Sequence, residues 1–198
     1  MKKIAIFGTH GSAKTTLVYK LAAFYKMGNK NVTVIHEAAR QSPFPINLDV
    51  VYQTTLFVVT SQIKKELQAE AEGFEISISD RTPSDAFIYL NHLKRDNSFT
   101  RSLEIFCLEW MKKYDVLIYL EPSEGFLIKE DGIRAVGIEY QNKIRDDFRV
   151  LLKEIRKNKN INFIEANAAQ LFDEEESQIL MNKINRSLYV QSREVNLV

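Results

Sequence analysis

The sequence predicts an α/β fold in which a mainly parallel, five-stranded sheet lies between two helical layers. Three observations carry that reading. Short β-rich runs alternate with segments of helical spacing along most of the chain. The runs are apolar enough for strands covered on both faces. Each one stops at polar or small residues, as buried strands do where the sheet ends. With 198 residues, the chain has the length of one such domain with modest insertions.

The first run, Lys3 to Phe7, halts at Gly8. Its Met1-Lys2-Lys3 start resembles that of a secretion signal, but the apolar stretch is too short and leads into a polar glycine loop, so a buried first strand is expected. Helical spacing follows from Lys14 to Lys26. The second run is Asn31 to His36, and a long helix is expected from roughly Asp49 to Glu70. The third run, Glu75 to Ser79, precedes helices over Ser84 to Leu93 and Ser102 to Lys113. The fourth is Val116 to Leu120, and a charged helix follows over Glu139 to Lys157. The fifth is Ile161 to Ile164, and a last helix covers roughly Ala168 to Arg186. Residues 1–190 are read as a single domain, and Gln191 to Val198, which show no period, as a loose tail.

Composition excludes more than it selects. A net charge of +1 provides no general attraction to nucleic acid or anionic membrane, so nucleic acid is not expected as a partner. No stretch approaches the roughly 18 apolar residues of a membrane span. Cys107 is the one cysteine, which rules out an intrachain disulfide and suits a cytoplasmic setting. His36 and His92 have no metal-like spacing to any Cys or His, so zinc is not indicated.

Between the first strand and first helix stands Gly8-Thr9-His10-Gly11-Ser12-Ala13-Lys14-Thr15-Thr16. This is the phosphate-binding pattern GxxxxGK[ST] with Ala13 in place of the second glycine. Backbone N–H groups of Gly8, His10, Gly11, Ser12, Ala13, Lys14, Thr15 and Thr16 are expected to wrap a polyphosphate. Lys14 would reach the outer phosphates, and the Thr15 hydroxyl would ligate Mg²⁺. Ala13 is expected to cost something, because glycine permits backbone angles that alanine resists. His10 is expected to point outward over the nucleotide entrance. The alternative is an ordinary glycine turn between strand and helix.

In parallel sheets ligands sit beyond the carboxyl ends of the strands, and the unusual polar residues cluster there. Glu37 follows the second strand and could take a proton from an acceptor hydroxyl, with Arg40 binding an anionic group. The plainer reading makes Glu37 the start of a short helix. Asp80-Arg81 ends the third strand, where an acid usually holds Mg²⁺. Pro83 falls near the first turn of the next helix, with Ser84 or Asp85 as caps, so Asp85 is read as capping rather than catalytic. Gln62, on the long second helix, is read either as a substrate contact or as a helix-surface glutamine. Residues at about 125–140, which include Lys129-Glu130-Asp131-Gly132-Ile133-Arg134, have the composition of a lid, with a plain surface loop as the alternative.

Together these segments make the chain resemble the P-loop kinase-type ATPase domains related to the nicotinamide riboside kinase domain of the bifunctional bacterial NAD-biosynthesis regulator. More distantly it is similar to deoxynucleoside and thymidylate kinases. The resemblance spans roughly residues 3 to 165. It implies a three-layer α/β/α P-loop NTPase fold, ATP or GTP with Mg²⁺ as cofactors, and a nucleoside-like acceptor. By that likeness Glu37 is the catalytic base, Asp80 a magnesium-site acid, Arg81 an acceptor contact and Arg134 the lid arginine. With the readings above, the expected site has Lys14, Glu37, Asp80 and Arg134 as catalytic residues, Arg40, Arg81 and Gln62 on the acceptor, and Thr15 and Asp80 on the metal. The expected reaction is phosphoryl transfer. The alternatives are an NTP-hydrolysing or NTP-sensing module acting on a protein partner, and a kinase of polynucleotide or of a base in DNA. A homodimer is compatible with the sequence without being required by it.

Overall fold

The computed structural model describes residues 1–46, 49–91, 98–123, 138–158 and 160–194. Five parallel strands form one sheet in the order β2-β3-β1-β4-β5. They are β1 (Lys2–Phe7), β2 (Val32–Ile35), β3 (Ile76–Asp80), β4 (Val116–Glu121) and β5 (Phe163–Asn167). The helices between and after them are α1 (Lys14–Met27), α2 (Tyr52–Ala71), α3 (Pro83–Asn91), α4 (Ser98–Met111), α5 (Ile138–Lys157) and α6 (Glu174–Glu194). The result is the three-layer α/β/α P-loop NTPase fold.

Period-two alternation in β1 builds both faces at once. Ile4 and Ile6 face Leu17, Val18 and Leu21 of α1 and Leu180, Ile184 and Leu188 of α6. Ala5 and Phe7 face the other way, toward Ile88 of α3 and Ile144, Phe148 and Leu152 of α5. Both faces are buried, so the strand has no polar residue after Lys3. A third cluster, Val59, Phe87, Leu103 and Cys107, joins α2 to α3 and α4.

The register places the functional segments. Ile6 of β1 pairs with Asp80 of β3, and the Arg81 amide donates to the Ile6 carbonyl at 2.9 Å. The chain therefore leaves β1 and β3 side by side. It passes from β1 into α1 on one face and from β3 into α3 on the other, which opens a crevice between the two strand ends.

Several expected boundaries shift. β5 starts at Phe163 and runs to Asn167, because its partner β4 continues to Glu121 and Ile161 is taken into a turn on Asn158. The last expected helix is divided: a 3₁₀ turn, Ala168–Leu171, precedes α6. α6 continues to Glu194 and so takes in the first residues of the segment from Gln191. Backbone hydrogen bonding outlasts the apolar contacts there, whose last member is Leu188. No helix among the described residues is long and apolar enough to cross a membrane. Arg134 and the lid at about 125–140 fall almost wholly outside the described residues.

Candidate functional site

The loop after β1 is shaped by three positive-φ residues: Gly8 (φ 137), Gly11 (φ 75) and Ala13 (φ 58). Ala13 adopts the left-handed conformation that a glycine normally fills in this pattern, with ψ 26. An alanine pays about 1 kcal/mol for that geometry, and its methyl packs against the α1–α6 side of the core. The loop backbone is thus formed despite the substitution.

Gly8 has no such latitude. A Cβ there would stand 2.9 Å from the Leu120 carbonyl oxygen and 3.3 Å from the Tyr119 ring. Gly8→Ala is therefore expected to cost about 3 kcal/mol, combining backbone strain with overpacking. Urea unfolding monitored by circular dichroism measures it, and an unchanged midpoint would show that the loop is free to move away from β4.

α1 begins at Lys14 with no side-chain cap and no acid in its first turn, so its N-terminal amides stay available to an anion. Lys14 is buried. Its Nζ donates to the Thr9 carbonyl at 2.6 Å and to Ser12 Oγ at 3.3 Å, both neutral acceptors. Burial, helped by the nearby Arg81, pulls the Lys14 amine down to about 7, although Asp85, Asp80 and Glu37 oppose it. Thr15 Oγ1 donates to Asp80 Oδ2 at 2.7 Å, which brings a hydroxyl and a carboxylate together where the loop meets β3.

These residues fit Mg²⁺ with a nucleotide. No cluster of three or more His, Cys, Asp or Glu side chains able to hold a metal occurs among the described residues. Mg²⁺ in phosphate sites commonly takes one or two carboxylates and completes its shell with phosphate oxygens and water. Thr15 and Asp80 supply such a partial set.

On the other side of the loop is a cavity lined by Glu37, Arg40, Arg81, Asp85 and Tyr89, and closed by apolar residues such as Val50 and Val58 of the α2 region. Arg81 Nε lies 2.6 Å from Glu37 Oε1, and Arg40 Nε lies 3.6 Å from Glu37 Oε2. Arg81 also approaches Asp85 Oδ1 at 3.5 Å and stands 5.7 Å over the Tyr89 ring. Burial pushes the Glu37 carboxyl up, but the charges of Arg81, Lys14 and Arg40 outweigh it and the net shift is downward. Arg81 is held well above its ordinary value: burial opposes its charge, and Glu37, Tyr89, Asp85 and Asp80 overcome the penalty.

The structure brings Lys14, Thr15, Glu37, Arg40, Asp80 and Arg81 to one crevice. Two expectations need correction, and a third, the capping role of Asp85, holds and is extended. His10 does not point outward. It is buried at 5% exposure, with Nδ1 3.1 Å from the Tyr89 hydroxyl, its ring beside Tyr140, and its carbonyl accepting from Gln141 Nε2. Gln62 is neither a surface glutamine nor a lining residue of the cavity: it is buried, and Nε2 is spent on the Arg81 carbonyl at 2.7 Å and on Glu66 Oε1 at 3.0 Å. Asp85 is more than a cap. Oδ2 accepts from the Thr82 amide and hydroxyl, reaching back over Pro83, while Oδ1 accepts from the Gly8 amide at 3.3 Å. Burial raises its carboxyl above the usual range against the pull of Arg81 and Lys14.

Tyr89 was not singled out from sequence. The signal was present: Asp85 and Tyr89 stand four residues apart on α3 and so share one face of the helix, which lines the crevice beside Arg81.

A family model described as an AAA domain matches residues 3–173. No curated protein matches the sequence. Among solved structures, deoxyadenosine kinase from M. mycoides with bound dATP superposes with a TM-score of 0.62 at 20% sequence identity, covering 93% of this chain and 100% of that one. At this identity the likeness establishes the fold, and neither match reaches nicotinamide riboside.

Proposed function

The chain belongs to the AAA-domain family, and on that premise we propose that it is an ATP–Mg²⁺-dependent kinase acting on a hydroxyl of a neutral, nucleoside-like molecule. The observation that carries this reading is the cavity beside the phosphate loop, in which Glu37 faces Arg81 and Arg40. A pocket beside the phosphate site, lined by these charged groups, suits transfer to a small molecule better than hydrolysis alone.

Lys14 and the loop amides bind the β and γ phosphates, and Thr15 with Asp80 would hold Mg²⁺, whose charge offsets that of the phosphates. The acceptor oxygen attacks the γ-phosphorus as the bond to the β–γ bridging oxygen breaks. ADP departs, and Glu37 takes the hydroxyl proton. Because Glu37 is held ionised by its arginines, its main contribution is to orient that hydroxyl. Phosphoryl transfer needs little more, as most of the barrier is lowered by positioning and charge stabilisation.

Charge favours a neutral acceptor over a nucleoside monophosphate. Lys14, Arg40 and Arg81 face Glu37, Asp80 and Asp85, and the Glu37 carboxylate already lies where an acceptor phosphate would have to meet the two arginines. Adding a dianion there would set it against Glu37.

Incubation with γ-labelled ATP, Mg²⁺ and a panel of nucleosides, nicotinamide riboside and nucleoside monophosphates tests the proposal. Label is expected on a nucleoside-type acceptor and absent from the monophosphates. Label released only as inorganic phosphate would replace the kinase with the hydrolysing module. Label on monophosphates would overturn the charge argument.

A further inference from the structure

Behind the cavity lies a buried polar cluster that the transfer chemistry does not use. Glu66 of α2 has no exposed surface. Its Oε1 accepts from the Tyr114 hydroxyl at 2.7 Å, from Gln62 Nε2 at 3.0 Å and from Ser79 Oγ at 3.1 Å, and its Oε2 accepts from Trp110 Nε1 at 2.9 Å. Burial first, and then the adjoining Glu66 carboxyl, push the Tyr114 hydroxyl well above its ordinary value, so it remains a donor. These donors come from α2, β3, α4 and the turn before β4. Apolar side chains of similar volume could join the same elements without desolvating a carboxyl group. The cluster therefore points to a task other than cohesion.

One contact leads out of it. Gln62 Nε2 also donates to the main-chain carbonyl of Arg81 at 2.7 Å. Arg81 has φ 92, a left-handed conformation unusual for a residue with a side chain. That turn separates the direction of the Arg81 side chain from the course of the chain into α3 and lets its guanidinium meet Glu37 at 2.6 Å. With Glu66 Oε1 and the Arg81 oxygen both on its donor side, the Gln62 amide has one favourable orientation, because turning it over would set its own oxygen against two acceptors.

We propose that Gln62, oriented by Glu66, is a positioning residue that holds the Arg81 main chain in its left-handed conformation and so keeps the Arg81 guanidinium against Glu37. The consequence for transfer rests on the kinase reading above, whereas the consequence for Arg81 does not.

The test uses Gln62→Met, which keeps volume and removes the donor. The Arg81 Nε–Hε resonance, assigned by its loss in Arg81→Lys, is followed by ¹⁵N–¹H spectroscopy. In the wild-type protein it is expected as a slowly exchanging signal shifted by Glu37. In Gln62→Met it should move or broaden away while the backbone amide spectrum stays dispersed. Ser79→Ala, which removes a Glu66 donor and leaves the Gln62–Arg81 link, should not move it. Against the acceptor found for the wild type, kcat should fall about tenfold with KM for ATP unchanged, the pattern of lost alignment.

An Arg81 signal unmoved in Gln62→Met overturns the proposal, whatever the transfer assay shows. A shifted signal in a protein that phosphorylates no acceptor leaves the positioning role standing and removes the kinase reading. If Gln62→Met does not fold, the wild-type protein decides the question: a through-hydrogen-bond coupling from Gln62 Nε2 to the Arg81 carbonyl carbon supports the proposal, and its absence overturns it.

Discussion

Lys14→Met is expected to abolish nucleotide turnover, with a loss of about 10³-fold or more, and at the same time to make the nucleotide-free protein more stable. Methionine fills most of the lysine volume, so the effect is that of the charge. The Lys14 amine is buried against two neutral oxygens, and burial draws it down to about 7. The unfolded chain, with an ordinary lysine near 10.5, binds more protons between those two values. The Lys14 contribution to stability therefore rises with pH across that window, and at or below pH 7 its cost is greatest. Removing it should raise the melting temperature near pH 7 by several degrees, because a drop from 10.5 to about 7 corresponds to a cost of a few kcal/mol.

A bound triphosphate reverses the balance by supplying the missing negative charge. The amine then returns to its protonated form, and MgATP binding should take up close to one proton above pH 8. Titration calorimetry in buffers of different ionisation heats measures this uptake. Binding with no proton uptake would place Lys14 away from the phosphates, and a less stable Lys14→Met protein would show that the lysine is structural.

The phosphate loop and the strand ends were legible because each is written locally. Gly8 to Thr16 is one continuous segment, and Glu37 and Asp80-Arg81 follow runs whose apolar character marks them as strands. The parallel sheet then brings the ends together, since a parallel register such as Ile6 with Asp80 leaves every carboxyl end on one side. What escaped the sequence depends on contacts between distant segments. His10 is polar and central in an exposed-looking loop, and it is buried by Tyr89 and Tyr140, which lie 79 and 130 positions further on. Gln62 appeared as a helix glutamine because nothing local shows that α2 turns this face to the Arg81 carbonyl. Ala13 was legible only as a cost. The structure shows the form of that cost, a left-handed alanine whose methyl finds an apolar contact.

Glu37→Gln separates binding from transfer. The amide keeps the size of the side chain and can still accept a hydrogen bond, but it gives up the proton-accepting charge and the ion pairs with Arg81 and Arg40. MgATP affinity should stay within about threefold, because the phosphate loop is untouched and the net local charge becomes more positive. Transfer to the acceptor should fall by about 10²–10⁴-fold, the usual range for loss of a positioned proton acceptor. Folding survives because Arg81 retains Asp85 at 3.5 Å. The acid side of the stability profile gives an independent check. Glu37 is held below its ordinary 4.5 by its arginines, so it contributes stability that is fully present above 4.5 and lost as pH falls through the lower folded value. Wild type should lose that contribution below pH 4.5, and Glu37→Gln should show a flatter profile there. Full transfer activity in Glu37→Gln, with the flatter profile present, would mean that the carboxylate is there to hold Arg81 and that the acceptor proton leaves by another route.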